Sequence, residues 1–146
     1  MTLQILVPVD DSPQAMAAVE HAVTHYADAD ITLLTVIEYT EKKTSLVRGG
    51  RGREEGWYAA EREAARSLLD EATDLATEHG VEVDTVVEDG SPSAKILEAV
   101  DELDTDIVVM GFRKRSPTGK ALFGSTAQDV LLSVACPVVT VPAPAD

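Results

Sequence analysis

Short apolar runs alternate along the chain with stretches in which apolar residues return at helical spacing. A short apolar run bounded by turn residues predicts a buried strand, and alternation of apolar with charged residues predicts a half-exposed edge strand. The third run, Val81–Glu88, shows that alternation. The expected strands are Leu3–Val9, Ile31–Ile37, Val81–Glu88, Ile107–Met110 and Val138–Val141.

Two helix starts are marked by serine followed by proline, at Ser12-Pro13 and Ser91-Pro92. Serine is a favoured N-cap, and proline suits the first helical position because its missing N–H is not needed there. The first helix has a small apolar face from Ala15 to Tyr26. The second of these helices is expected to run through Leu103.

Two further helices and two loops complete the predicted elements. Apolar residues recur at helical spacing from about Arg53 to His79, and Ser125 or Thr126 is expected to cap the last helix. The glycine-containing segment Glu38–Gly52 is interpreted as a long mobile loop, and Gly111–Phe123 as a second loop.

Strand and helix alternate throughout, which is typical of parallel strands joined by right-handed crossovers. We therefore expect a single domain over 1–146 of the α/β class. It would be a doubly wound, five-stranded parallel sheet, Rossmann-like, in strand order 3-2-1-4-5, with helices on both faces.

The last strand, Val138–Val141, is bracketed by Pro137 and Pro142. Proline cannot donate to a strand ladder, so this strand is expected at a sheet edge. An exposed apolar edge recruits other strands unless something pairs with it. A homodimer through this edge is predicted; the alternative is a monomer in which the prolines keep the edge unpaired.

The chain is strongly acidic, with 26 acidic and 12 basic side chains and a formal net charge of −14. Such a surface repels nucleic acid and anionic membranes, so neither is expected as a partner. The excess of carboxylates also resembles that of proteins from salt-saturated cytoplasm, although an ordinary acidic protein would show it too. No long apolar run and no signal peptide is recognised, and Cys136 is the single cysteine, so a cytoplasmic location is expected.

Most of the positive charge lies in two segments that follow the second and fourth predicted strands. Cations there could contact phosphate oxygens directly, or both segments could be solvated loops. The cations are Lys42, Lys43, Arg48, Arg51 and Arg53 in the first segment, and Arg113, Lys114, Arg115 and Lys120 in the second.

Ligands of open α/β sheets bind at the carboxyl ends of the strands. Asp10, Val36 and Gly111 lie at the carboxyl ends of the first, second and fourth predicted strands, and Gly124-Ser125-Thr126 begins the last helix. A helix N-terminus offers free N–H groups and partial positive charge, which suits a phosphate. The same residues also make an ordinary helix cap, and Asp10 could serve only as a partner of the next helix dipole.

Four segments resemble the universal stress protein family: VPVDDS, LLTVIE, MGFRKRSPTGKALFGSTAQDVL and CPVVTV. Nucleotide-binding members carry glycine, two residues, glycine, nine residues, then glycine and serine or threonine. Gly111 and Gly124-Ser125 match this motif, and Lys114 replaces its middle glycine. Lysine cannot readily adopt positive φ, but it could offer an ammonium group in place of a backbone nest.

The resemblance implies an adenine-nucleotide site. Asp10 and the backbone of Val36 would bracket the adenine, Pro8 and Val9 would line its pocket, and Met110 and Gly111 would lie along the ribose. The phosphates would be held by Arg113, Gly124, Ser125 and Thr126, with Lys114 as an added cation.

The predicted function is binding of ATP, ADP or AMP by a homodimeric stress-response or signalling protein. A magnesium ion, if present, would be held through the phosphates; no metal ligand and no catalytic residue is assigned. Two alternatives remain, a slow ATPase and a ligand-free stress dimer in which Lys114 marks a degenerate site.

Overall fold

The computed structural model describes residues 2–38, 51–113 and 124–144, with side chains in the second range described from residue 56 onward. Within these ranges, strands and helices alternate as the sequence predicts. The strands are β1 (Gln4–Pro8), β2 (Asp30–Glu38), β3 (Val83–Gly90), β4 (Ile107–Phe112) and β5 (Val138–Pro142). The helices are α1 (Pro13–His25), α2 (Arg51–Glu78), α3 (Pro92–Glu102) and α4 (Ser125–Ser133).

The strands form one five-stranded sheet in the order β3-β2-β1-β4-β5, with every neighbouring pair parallel. This confirms the predicted fold class and strand order. The chain order reverses at β1, which lies between β2 and β4. The carboxyl ends of these three strands therefore meet where open α/β sheets bind their ligands.

Each face of the sheet has its own buried apolar layer, because successive side chains of a strand point to opposite faces. On one face, Ile5 and Val7 pack with the small residues of α1 and with α2. On the other, Leu6 and Leu34 pack with α3 and α4. Helices thus cover both faces, as a doubly wound fold requires.

Helix α1 begins as predicted, with Pro13 in its first turn and the Ser12 hydroxyl accepting a 3.2 Å hydrogen bond from the Ala15 N–H. Helix α3 also begins with proline after Ser91, but the Ser91 side chain makes no capping hydrogen bond. The serine-proline pattern therefore located both helix starts, and only one of the two serines acts as a side-chain cap.

Two boundaries near the carboxyl end of β4 differ from the sequence prediction. Gly111 and Phe112 belong to β4 and not to a loop, because the parallel partner β5 continues opposite them, to Val141 and Pro142. The N-cap of α4 is Gly124, in extended conformation, so neither Ser125 nor Thr126 is the cap. The Gln128 N–H donates to the Gly124 carbonyl at 3.0 Å, which starts the helix one residue earlier.

Both ends of the predicted loop Glu38–Gly52 differ from the prediction, since Glu38 ends β2 and α2 begins at Arg51. Residues 39–50, with most of the first basic segment, lie outside the described residues. The organisation of 1–146 as a single domain stays a prediction. No helix in the described ranges is both long and apolar enough to cross a membrane.

Candidate functional site

A cleft of about 470 Å³ opens at the carboxyl ends of β1, β2 and β4. The first turns of α1, α3 and α4 form its walls, since Ser12, Pro92 and Ser125 all line it. The predicted site residues that lie in the described ranges all line this one cleft. They are Pro8, Val9, Asp10, Val36, Met110, Gly111, Arg113, Gly124, Ser125 and Thr126.

Lys114, the remaining predicted site residue, lies outside the described residues, as do Arg115 and Lys120 of the second basic segment. The role assigned to each residue by the family resemblance stays a prediction.

The floor of the cleft is the upper end of the apolar layer under α3 and α4. Leu34, Ile96 and Met110 are buried members of that layer and also line the cleft. Val36 lies two residues beyond Leu34 on the same side of β2 and is half-buried. This part of the cleft offers an apolar surface of the kind that receives a flat ring.

Asp10 is oriented by the cap of α1. The Ser12 hydroxyl donates to Asp10 Oδ1, and the Ser12 N–H donates to the Asp10 carbonyl oxygen at 2.9 Å. The Asp10 side chain is exposed and lines the cleft beside the start of α1. This position fits both interpretations of Asp10, as a partner of the helix N-terminus and as a ligand-facing carboxylate.

Buried hydrogen bonds fix the backbone of β1 to β2 below the cleft. The Val9 N–H donates to the Leu34 carbonyl at 2.8 Å, and the Thr35 hydroxyl donates to the Val9 carbonyl at 3.0 Å. Thr35 is a polar residue in the buried core, with 6% exposure. Its hydroxyl supplies a hydrogen-bond donor to the buried Val9 carbonyl, just after the end of β1. The backbone is therefore held in place immediately before Asp10.

The β4 side of the cleft is suited to an anion. Arg113 follows β4, and the first turn of α4 adds Ser125 and Thr126 to the lining. The glycine N-cap has no side chain to bond the first-turn amides. N–H groups at such a helix start are available to a ligand, and the helix dipole favours negative charge there.

Sequence reasoning missed several lining residues, and Glu38 is the most informative of them. It lies on β2 two residues beyond Val36 and lines the cleft. The alternation of strand side chains carried this signal, because Leu34, Val36 and Glu38 share one face. The other missed residues are Asp11, Ser12, Gln14, Ala15, Leu34, Pro92, Ile96, Phe112 and Ala127.

The described lining holds carboxylates, hydroxyls and one arginine, and it includes no histidine or cysteine. No group of three or more metal-binding side chains occurs in the described parts of the chain. Burial raises the pKa of the Cys136 thiol, which packs against the core beneath α3 and α4, away from the cleft. The arrangement is equipped to bind and orient a ligand that carries an anionic group.

A model of the universal stress protein family matches residues 1–142, and the chain belongs to this family. A universal stress protein of Mycolicibacterium smegmatis is 30% identical over 137 residues, which cover 94% of this chain and 95% of the relative. A universal stress protein of Methanocaldococcus jannaschii is 26% identical over 144 residues, which cover 97% of this chain and 82% of the relative. A solved universal stress protein of Archaeoglobus fulgidus, 27% identical, has a TM-score of 0.73 and covers 97% of this chain and 99% of its own.

More distant structures share the fold and were solved with nucleotides. A universal stress protein from Archaeoglobus fulgidus in complex with dAMP has a TM-score of 0.65 at 22% identity, with 97% and 98% of the two chains covered. A universal stress protein family protein from Arabidopsis thaliana with AMP bound has a TM-score of 0.70 at 19% identity, with 99% and 94% covered.

Proposed function

We propose that this protein binds an adenine nucleotide in the cleft at the carboxyl ends of β1, β2 and β4, and that it acts in stress response or signalling as a homodimer. The observation that carries the proposal is the meeting of Asp10, Arg113 and Ser125 in one cavity. These residues come from three separate parts of the chain, and the fold brings them around a space of ligand size.

The volume and lining of the cleft suit a nucleotide. About 470 Å³ lies within the range of about 300–1,000 Å³ that is typical of small-molecule pockets. The apolar floor at Val36 and Met110 would receive the base. Arg113 and the first turn of α4 would hold the phosphate through charge-assisted hydrogen bonds. Relatives of the same fold that were solved with AMP and dAMP support this assignment.

The proposal includes ATP as a ligand, with magnesium held through its phosphates and not by protein ligands. A triphosphate would need contacts beyond those of the first turn of α4, and in this proposal Lys114 would supply an added cation. Hydrolysis is a weaker second candidate, because the described lining holds no histidine to activate water.

The homodimer would form through the outer edge of β5. This strand ends the sheet on the side away from β3, and its residues Val138–Val141 are half-exposed. A second copy pairing with β5 would satisfy its outward backbone groups and cover its apolar side chains. We also propose a reducing cytoplasm as the location, since Cys136 has no second cysteine with which to form an internal disulfide.

Two measurements test nucleotide binding. The purified protein is denatured and the supernatant is analysed for released adenine nucleotide. Stripped protein is then titrated with ATP and magnesium, and with AMP, at high salt. We expect released nucleotide or binding below millimolar concentration. Neither release nor binding at millimolar ATP would favour the ligand-free dimer with a degenerate site.

A matched pair of variants on α4 locates the phosphate. Ser125→Ala removes a hydroxyl from the cleft lining, whereas Ser133→Ala removes an exposed hydroxyl at the opposite end of the same helix. We expect Ser125→Ala to weaken AMP binding about tenfold, or about 1.4 kcal/mol, and Ser133→Ala to leave it unchanged. Phosphate release from ATP that Ser125→Ala abolishes would favour the ATPase.

A further inference from the structure

A second, smaller pocket opens between α3 and the strands β2 and β3. Its volume is about 140 Å³, and of its described lining residues only Leu34 also lines the cleft. The floor is apolar, since Leu6, Leu34 and Ala99 are buried members of the layer under α3. Leu103, which is 37% exposed, adds a further apolar side chain to the lining. A hydrocarbon chain placed here would therefore be removed from water.

The charged residues of this lining do not balance. Glu88 belongs to β3, whereas Lys95, Glu98 and Glu102 belong to α3. The three helix residues are spaced by three and four positions, so their side chains share one face of α3. Three carboxylates against one ammonium give the pocket a formal charge of −2.

The ammonium of Lys95 already has its partner in the pocket. Its Nζ lies 3.1 Å from Glu98 Oε2, and its stem packs on the end of β3, where a β-carbon on Gly90 would lie 3.1 Å from Lys95 Cε. The hydrogen bond and charge of Glu98, and then the charge of Glu88, raise the pKa of Lys95. Neither Glu88 nor Glu102 forms an ion pair with any residue of the described ranges, so two carboxylates remain without a cation.

These two carboxylates belong to opposite ends of the pocket. Helix α3 begins just after β3 ends, so Glu88 lies close to the first turns of α3, whereas Glu102 is the last residue of that helix. Lys95, which packs on the end of β3, precedes Glu102 by about 10 Å along the helix axis, at about 1.5 Å per residue.

We infer that this pocket binds a short aliphatic diamine, with one ammonium at Glu88, the other at Glu102 and the hydrocarbon chain on the apolar floor. The two positive charges of a diamine balance the formal charge of the pocket. An extended four-carbon diamine has about 6 Å between its nitrogens, and hydrogen bonds of about 2.8 Å at its two ends extend its reach to about 12 Å. A chain of this length also suits a cavity of about 140 Å³, which has room for about five waters at about 30 Å³ each.

The separation of the carboxylates distinguishes a diamine from other cations. A single metal ion needs its oxygen ligands at about 2.0–2.6 Å, so it cannot serve carboxylates at opposite ends of the pocket. A monoamine of the same length would cover the apolar floor but leave one carboxylate without a partner. The hydrocarbon chain and the second ammonium are therefore both required for full affinity.

The ligand test titrates the whole protein with 1,4-diaminobutane by calorimetry. Because salt screens exposed charges, it uses the lowest salt concentration at which circular dichroism shows the protein folded. Butylamine has the same chain with one ammonium, and Mg²⁺ carries the same charge without a chain. We expect binding of the diamine below millimolar concentration, at least tenfold weaker binding of butylamine, and no displacement of the diamine by an equal concentration of Mg²⁺.

Three results of this titration would overturn the diamine site. They are absence of diamine binding at millimolar concentration, equal affinities for the diamine and butylamine, and displacement of the diamine by an equal concentration of Mg²⁺. The last result would show an acidic surface that attracts any dication.

Matched variants locate the ligand on the protein. Glu88→Gln and Glu102→Gln each remove one exposed carboxylate of the pocket, whereas Glu71→Gln makes the same change of charge on the exposed side of α2, outside both pockets. We expect each pocket variant to weaken diamine binding about fivefold, the upper end for exposed ion pairs, and Glu71→Gln to leave it unchanged. The same affinity in all of these proteins, or equal weakening by Glu71→Gln, would contradict the site.

An amide NMR titration of wild type with the diamine provides a measurement that needs no variant. The signal of Ala99, which lines the pocket, is expected to shift, and that of Asp10, which lines the cleft, to stay unchanged. Shifts confined to the cleft would overturn the assignment to this pocket.

Discussion

A β-carbon placed on Gly111 would lie 2.5 Å from the carbonyl oxygen and 2.6 Å from the carbonyl carbon of Gln14. The backbone at the first turn of α1 therefore packs directly on β4, with no room for a side chain between them. Both residues line the cleft. The first glycine of the motif thus has a packing reason in this chain, because it lets two walls of the cleft approach each other.

Replacing Gly111 should disturb both the fold and the site. The contact that a β-carbon would make is with backbone, which cannot rotate away, so α1 must shift from β4. We expect Gly111→Ala to destabilise the protein by about 1–3 kcal/mol, the usual range for overpacking. Urea unfolding at high salt measures the difference in free energy of unfolding.

Gly56 provides the matched control for this substitution. It lies within α2, and a β-carbon there would meet nothing within 4 Å. Because alanine is the better helix former, Gly56→Ala should stabilise the protein by up to about 1 kcal/mol. Equal effects of the two substitutions would show that the approach of Gln14 to Gly111 is not a constraint.

The proposed dimer edge can be tested with threonines on the two opposite edge strands. Thr140 lies in the middle of β5 and Thr85 in the middle of β3. In a symmetric dimer through β5, Thr140→Asp brings two added negative charges close together in an already acidic protein. Light scattering should show a dimer for wild type and Thr85→Asp and a monomer for Thr140→Asp. A monomeric wild type, or a Thr140→Asp variant that is still a dimer, would contradict this interface.

His21 should make stability depend on pH. Burial, and then the charge of His25, lower the pKa of His21 below its ordinary value of 6.5; the two rings lie 4.4 Å apart. The unfolded chain therefore binds a proton at this position more readily than the folded chain, and stability falls as pH drops through about 6.5. His21→Gln should lessen the loss of stability between pH 7.5 and 5. Urea unfolding at both pH values checks this, and an unchanged loss would exclude His21 as a contributor.

The fold could be predicted from the sequence because the signals for strands, helix starts and an edge strand all agreed with one parallel α/β sheet. Apolar runs marked the strands, Ser12-Pro13 marked a helix start, and alternation in Val81–Glu88 identified an edge strand, which β3 is. Boundaries that depend on a distant partner were missed. Gly111 looked like the start of a loop because its strand partner, Val141, is far away in sequence.

Part of the candidate site could also be predicted from the sequence, because its residues lie at predicted strand ends and helix starts. Residues at strand ends and helix starts, such as Asp10 and Ser125, follow from the topology of the sheet. The contribution of Glu38 depends on how far β2 projects beyond β1, and the need for glycine at Gly111 depends on the close approach of Gln14. Alternation along β2 places Glu38 on the same face as Leu34 and Val36, but the projection of β2 beyond β1 and the approach of Gln14 to Gly111 are tertiary relationships that no local pattern carries.

In the proposed function, one cleft holds an adenine nucleotide between the ends of β2 and β4. The most direct measurement is an amide NMR titration of the stripped protein with AMP. We expect the amide signals of Asp10, Gly111 and Ser125 to shift and to saturate together at one affinity, with no shift at Glu71 on the exposed side of α2. Saturable shifts confined to other surfaces, or unchanged spectra at millimolar AMP, would contradict it.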